Sequence, residues 1–244
     1  MVLVTAVAVS NLEKDYGKVK ALRGVSFQIE EGEIFGLIGP NGAGKSTTLK
    51  ILATLLHPTG GRAEVFGHDV VKEASEVRKL ISYLPEEAGA YKRLTGLEYL
   101  EFMAKLYAKD SRKAEKMLKL GIELSGLGER LNDKVSTYSK GMVRRLLLAR
   151  ALMVKPKLAI LDEPTSGLDI MNAFEIRRTI KEFSKEGVTF LISSHNMLEV
   201  EYLCDRVALI HKGRILEVGT PRELKERYNA ENLEEVFMEA VKNV

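Results

Sequence analysis

Short apolar runs that end in glycine, proline or acid alternate along this chain with longer stretches of helical spacing. Val2 to Ser10 alternates loosely and is rich in valine, which predicts a strand. Val25 to Glu30 predicts a second strand, entered from a turn at Ala21 to Gly24. Ile34 to Ile38 is short, apolar and followed by glycine, as a fully buried strand is. A helix is expected over Ser46 to Leu56, stopped near Pro58 and the Gly60-Gly61 pair. Ile81 to Leu84 predicts a further strand closed by Pro85.

The pattern then changes period. From Thr95 to about Leu127 it is helical, with Leu97, Leu100, Met103, Leu106 and Tyr107 expected to form a core face. Ser111 to Leu124 continues as a helix, and Met142 to Met153 forms another after Gly141. Strand character returns at Leu158 to Leu161, at Val188 to Ser193, and in a hairpin over Arg206 to Val218 that turns at Lys212-Gly213. Helices are expected between them, at Asn172 to Lys185 and Met197 to Leu203, and in the charged tail from Pro221. Strands and helices that alternate around a helical insert predict an α/β fold carrying a helical subdomain.

Candidate chemistry begins at Gly39-Pro40-Asn41-Gly42-Ala43-Gly44-Lys45-Ser46, which matches the phosphate-loop pattern between a buried strand and a helix. Its glycines let backbone N–H groups turn toward phosphate oxygens, and the helix start adds its positive end. Lys45 is placed to reach the β- and γ-phosphates, the Ser46 hydroxyl to ligate Mg²⁺, and Thr47 to add a phosphate hydrogen bond. The run Leu158 to Leu161 delivers Asp162 and Glu163 at its C-terminal end, where ligands sit in open α/β sheets. Asp162 suits Mg²⁺, and Glu163 suits a base that orients or deprotonates an attacking water.

With these motifs and their order, the chain resembles the nucleotide-binding subunits of ATP-binding-cassette (ABC) transporters over almost its whole length. Tyr138-Ser139-Lys140-Gly141-Met142 is similar to the family's signature loop, although Lys140 and Met142 stand where that loop usually has glycine and glutamine. Pro164 to Asp169 resembles the loop that links two subunits, and Ser193-Ser194-His195 resembles the switch-histidine segment. Tyr16 matches the aromatic that stacks on adenine. Glu86 stands where the family has a glutamine that ligates the metal, with Glu87 as the fallback.

The resemblance implies a P-loop NTPase (RecA-like) core with an antiparallel β subdomain and an inserted α-helical subdomain. It implies an ATP-binding domain over 1–220, with the helical subdomain at about 88–154 and a short helical tail over 221–244. It implies ATP and Mg²⁺ as ligands, with Lys45, Glu163 and His195 catalytic and Ser46, Glu86 and Asp162 around the metal. ATP would touch Tyr16, Gly39, Pro40, Asn41, Gly42, Ala43, Gly44, Lys45, Ser46 and Thr47. Ser139 and Gly141 would contact the nucleotide of a second copy, or of a paralogous cassette, in an ATP sandwich. An integral-membrane permease is the further partner, contacted through the loop Ala88 to Leu94. The chain would then lie in the cytoplasm, peripheral on the inner face of the membrane. The sequence around Glu86 and Met142 and the acidic tail are similar to those of ABC-2 exporters.

Composition narrows the field without changing it. In 244 residues, 37 basic and 34 acidic side chains leave a net charge of +3, with no concentrated basic face to suggest a nucleic-acid partner. Cys204, the single cysteine, has no partner for an internal disulfide and reads as a small core residue. It also excludes a zinc cluster of cysteines. No run approaches the roughly 18–20 apolar residues of a membrane span, and the first ten residues lack the basic start of a signal peptide. His57, His68 and His211 have no ligand spacing and are expected at the surface or in turns. A soluble cassette ATPase acting on ribosomes or nucleic acid is the alternative. The chain lacks the second cassette, long coiled coil or zinc insertion that such relatives carry.

Overall fold

The structure is a computed structural model that describes residues 4–242. Along the chain, β1 (Thr5–Tyr16) and β2 (Val19–Glu30) lead to β3 (Ile34–Ile38) and α1 (Lys45–Leu52). Then come β4 (Gly60–Val65), β5 (His68–Asp69), α2 (Ala74–Leu80) and β6 (Ile81–Leu84). Helices α3 (Gly96–Tyr107), α4 (Ser111–Ser125) and α5 (Lys140–Leu152) precede β7 (Leu158–Asp162), α6 (Ile170–Lys185), β8 (Thr189–Ser194) and α7 (Met197–Leu203). A hairpin of β9 (Arg206–His211) and β10 (Arg214–Gly219) is followed by α8 (Pro221–Tyr228) and α9 (Leu233–Lys242).

The two strand patterns sort into two sheets. The central one has the order β10-β9-β3-β8-β7-β6. All its neighbours pair in parallel except the edge hairpin β9–β10. Its strands β3, β7 and β8 are buried at every position, which is why they read as unbroken apolar runs. Ile34, Ile38, Ala159, Leu161 and Ile192 face a core shared with the helices. Phe35, Leu37, Ile160 and Leu191 face a second core against the other sheet. That sheet is antiparallel, in the order β2-β1-β4-β5. Phe27 of β2 stacks on Phe35 of β3 across this core, with ring centroids 5.4 Å apart.

Several expectations change here. Ala21 to Gly24 is not a turn but part of β2, with Leu22 opposite Lys14 and Arg23 opposite Glu13. The turn lies at Gly17-Lys18 instead. The predicted first strand runs on to Tyr16, and its first residues, 2–3, lie outside the described residues. The Gly60-Gly61 pair opens a strand that the pattern did not mark. Gly61 has φ +76° and lies so close to β1 that a Cβ would run into the Asn11 carbonyl, so glycine serves close backbone approach there. The helix after the phosphate loop ends at Leu52, because Thr54 takes φ +61° and turns the chain before Pro58.

The helical insertion is well capped. Thr95 and Glu98 form a reciprocal capping box on α3, and Asp110 and Ser139 accept from backbone N–H groups at the starts of α4 and α5. On α3, Tyr99, Leu100, Met103 and Ala104 are buried, but Leu106 and Tyr107 are exposed. A repeat of three drifts off one face: from Leu97 to Leu106 is nine residues at about 100° each, which ends on the opposite side of the helix. Cys204 is buried, as expected. His211 is not a free surface residue; its ring meets Phe237 of α9 edge-on at 5.8 Å.

Leu224, Leu233, Val236 and Phe237 of the last two helices join the helix-side core. Phe237→Ala should therefore lower the unfolding free energy by about 3 kcal/mol in urea denaturation. An unchanged midpoint would mean that α9 does not dock on this core.

Candidate active site

The C-terminal ends of three adjacent parallel strands, β3, β7 and β8, build the site. Beyond Ile38 the chain turns through 39–44 into α1. Gly44 stands at the cap position with φ +113°, and a Cβ there would lie 2.7 Å from Leu22 Cδ2 and 2.9 Å from the Ala21 carbonyl. With no side chain at the cap to accept them, the first N–H groups of α1 are left for an anion. Lys45 is buried, and its Nζ donates to the Gly39 carbonyl at 2.6 Å and the Pro40 carbonyl at 3.3 Å. Its ammonium thus folds back over the loop that would receive phosphate.

Two carboxylates meet it from β7. Asp162 is 2 % exposed and accepts from Ser46 Oγ at 3.2 Å and from Ser193 Oγ of β8. Glu163 is also buried and takes φ +47°, a left-handed conformation that costs a non-glycine residue about 1–2 kcal/mol. Its N–H donates to Ser193 Oγ at 3.0 Å, so Ser193 bridges the two acids. Glu163 Oε1 lies 3.3 Å from Lys45 Nζ, an ion pair without hydrogen-bond alignment, and Oε2 lies 2.8 Å from His195 Nδ1. Buried opposite charges at such distances are strongly coupled, and an anion entering the loop competes with Glu163 for Lys45.

A cleft of about 750 Å³ opens above this cluster. Pro40, Asn41, Gly42, Gly44, Lys45, Ser46 and Thr47 line it, as does the half-exposed Tyr16. Gly39 and Ala43 of the same loop are buried and do not line the cleft. Glu86 lines the cleft and Glu87 does not. His195 is half exposed and reaches the site through Glu163, beside a smaller hollow that also holds Thr165 and Ser166. Ser139 and Gly141 line neither hollow. Ser139 caps α5, accepting from the Met142 N–H at 3.2 Å, and Gly141 sits against the Asn172 side chain. The structure therefore gathers the predicted loop, the two carboxylates, His195 and Glu86, and holds the two signature residues apart from them.

The donor set fits Mg²⁺. Ser46 and Glu86 line the cleft, and the Asp162 carboxylate is buried 3.2 Å from the Ser46 hydroxyl. Hard oxygen donors in this small number suit a cation that takes its other ligands from phosphate and water. Among the described residues no cluster of three or more His, Cys, Asp or Glu forms a full protein cage.

Two further residues belong to the site. Ser193 stands in the segment before His195, and its sequence signal is a serine at the end of an apolar strand. Arg144 of α5 is 7 % exposed and donates to the backbone carbonyls of Pro85, Glu86, Asp162, Glu163 and Pro164. Burial pulls its guanidinium down to about 10, opposed by Asp162, Glu86 and Glu163, so it stays charged at neutral pH. Its only trace in the sequence is a charge beside the buried run Leu146 to Leu148.

Comparison with known proteins identifies the family. Residues 22–166 match the family model described as ABC transporter. The linearmycin resistance ATP-binding protein LnrL of Bacillus subtilis is 40 % identical over 91 % of this chain and 72 % of its own length. The daunorubicin resistance ATP-binding protein DrrA3 of Streptomyces coeruleorubidus is 38 % identical over 97 % of this chain and 75 % of its own. Among solved structures, an ATP-binding subunit of an ABC transporter superposes with a TM-score of 0.86 at 29 % identity, covering 97 % of this chain and 99 % of that one. A dimeric post-hydrolysis state of the cassette MJ0796 bound to ADP and phosphate gives 0.78 at 25 % identity, covering 88 % and 98 %. The chain belongs to the ABC transporter family, as an ATP-binding and ATP-hydrolysing subunit.

Proposed function

We propose that this subunit binds ATP with its triphosphate in the loop 39–47 and adenine on Tyr16, and that two copies enclose two nucleotides head to tail. One observation carries the reading: Lys45, Glu163 and His195 are linked by contacts of 3.3 Å or less, with Lys45 and Glu163 on the cleft and His195 on the smaller hollow next to it, while Ser139 and Gly141 line neither. Ser139, exposed at the start of α5, would then face the γ-phosphate held by a second copy, with Gly141 offering its backbone N–H from beside it. The dimeric cassette bound to ADP and phosphate supports this arrangement.

Lys45 would leave Glu163 for the β- and γ-phosphates, and Glu163, so released, would orient and deprotonate water for in-line attack. His195 would hold Glu163 and the γ-phosphate in register through Nδ1 and Nε2. Mg²⁺ near Ser46, Asp162 and Glu86 supplies charge neutralisation on the phosphates when bound. ATP favours the closed dimer, so binding and hydrolysis alternate two states that a partner can follow.

The partner we propose is an integral-membrane permease of the ABC-2 exporter class, which holds this subunit on the cytoplasmic face of the membrane. Both drug-resistance relatives support that class. Among the described residues no helix is long and apolar enough to cross a membrane, so the transport path would belong to the permease. Residues 1–220 would form the ATP-binding domain, with 88–154 as its inserted helical subdomain and 221–244 as its tail.

Glu163→Gln should slow hydrolysis by about 10²–10⁴-fold while keeping ATP binding, and ATP should then hold the variant as a dimer in size-exclusion chromatography. Wild-type turnover in that variant would remove Glu163 from its role. Lys45→Ala should lose ATP affinity in a titration, and an unchanged affinity would contradict the phosphate-loop assignment.

A further inference from the structure

Arg144 spends every donor it has on the two segments that flank the reaction. Nη1 donates to the Pro85 carbonyl at 2.8 Å and the Glu86 carbonyl at 3.1 Å. Nη2 donates to Asp162 at 2.7 Å and Glu163 at 2.9 Å, and Nε to Pro164 at 2.9 Å. A guanidinium offers five N–H groups in a rigid planar fork, so none is left over and both segments are held in one plane of reference. None of these acceptors is a carboxylate; the buried charge is met by carbonyl dipoles. Lysine carries its three donors on a single atom and cannot span both segments.

The neighbouring arginine shows the contrast. Arg145 donates to the carbonyls of Ser125 and Gly126, inside the helical insertion and away from the cleft. Arg144 instead leaves the insertion and reaches the strand ends. It also helps hold a strained residue: Glu163 keeps φ +47° while its N–H is fixed by Ser193 and its carbonyl accepts from both Arg144 and the Ser166 N–H. Strain of this kind persists only where the surroundings over-determine it. Arg144 supplies the shorter of the two bonds to the Glu163 carbonyl and the one that ties it to α5, so its loss loosens the Glu163 peptide and the carboxylate that the peptide carries.

We infer that Arg144 is a positioning residue that ties α5, and with it Ser139, to the backbone of 85–86 and 162–164, so that Glu86 and Glu163 move with the helix as one unit. This rests on the proposed reading in which Ser139 faces the nucleotide of a second copy. A shift of α5 on meeting that nucleotide is then transmitted to the base of its own site, which makes the two sites interdependent. Arg144 touches neither water nor phosphate in this scheme; it acts through Glu163 and Glu86.

The test uses the full chain with Arg144→Lys, Arg144→Gln and, as a comparison, Arg145→Lys. Both Arg144 variants should keep ATP affinity and KM within about twofold and still dimerise with ATP in the Glu163→Gln background. Their kcat should fall about 100-fold, the scale of a displaced catalytic group. Arg145→Lys should lower the unfolding midpoint and leave kcat within about twofold. A folded Arg144 variant with wild-type kcat overturns the inference, whereas failure of Glu163→Gln alone to dimerise with ATP overturns the underlying dimer reading. Hydrogen exchange on the wild-type chain needs no variant: amides of 86–88, 163–166 and 144–148 should open as one cooperative unit. Separate opening of the two loops would equally overturn it.

Discussion

The parallel register of three buried strands is the constraint on which everything else rests. β3, β8 and β7 lie side by side, with Ile38 opposite Ser194 and Asp162 opposite Ser193. Their ends therefore meet at one edge of the sheet, and each strand delivers a different chemistry there: a phosphate loop, a pair of carboxylates, and a serine with a histidine beyond it. Parallel strands must be joined by crossovers, and these place helices on the faces and leave the carboxyl ends open as a crevice.

Burying so many polar groups at that edge is costly unless each finds a partner. Asp162 is served by Ser46 and Ser193, and Glu163 by its own N–H bond to Ser193 and by His195. Lys45 is the pivot, since it shares its charge between loop carbonyls and Glu163. The Tyr83 hydroxyl sits buried beside them without a partner, its pKa raised above the usual range by burial and then by the Asp162 charge. In the proposed cycle a triphosphate would draw Lys45 from the Glu163 carboxylate to phosphate and so free the base.

The fold is most legible where burial is complete. Ile34 to Ile38 matches β3 to the residue, because a strand covered on both faces shows an unbroken apolar run. Ile81 to Leu84 matches β6 although this edge strand is only half-buried and carries Ser82; Pro85 marks its end. The antiparallel sheet has one face less protected and several register shifts, so its alternation is weak. The extension of β2 through Ala21 to Gly24 and the strand opened by Gly60-Gly61 were lost for that reason. On α3 the spacing identified a helix but placed Leu106 and Tyr107 on the wrong side, since steps of three and turns of 3.6 residues part company within three turns.

The sequence alone determined the chemistry that depends on neighbours along the chain. A loop that cradles phosphate needs its glycines, lysine and serine in order, and a strand that delivers two acids needs them adjacent, so both are local and legible. What only the tertiary structure decided is how distant segments share charge: that Glu86 and not Glu87 faces the cleft, that Ser193 bridges Asp162 and Glu163, and that Arg144 bonds to 85–86 and 162–164 across nearly sixty residues of chain in one direction and twenty in the other. Hydrogen bonds of a guanidinium to backbone carbonyls leave no mark on the identity of the residues that accept them, because every residue has a carbonyl to offer.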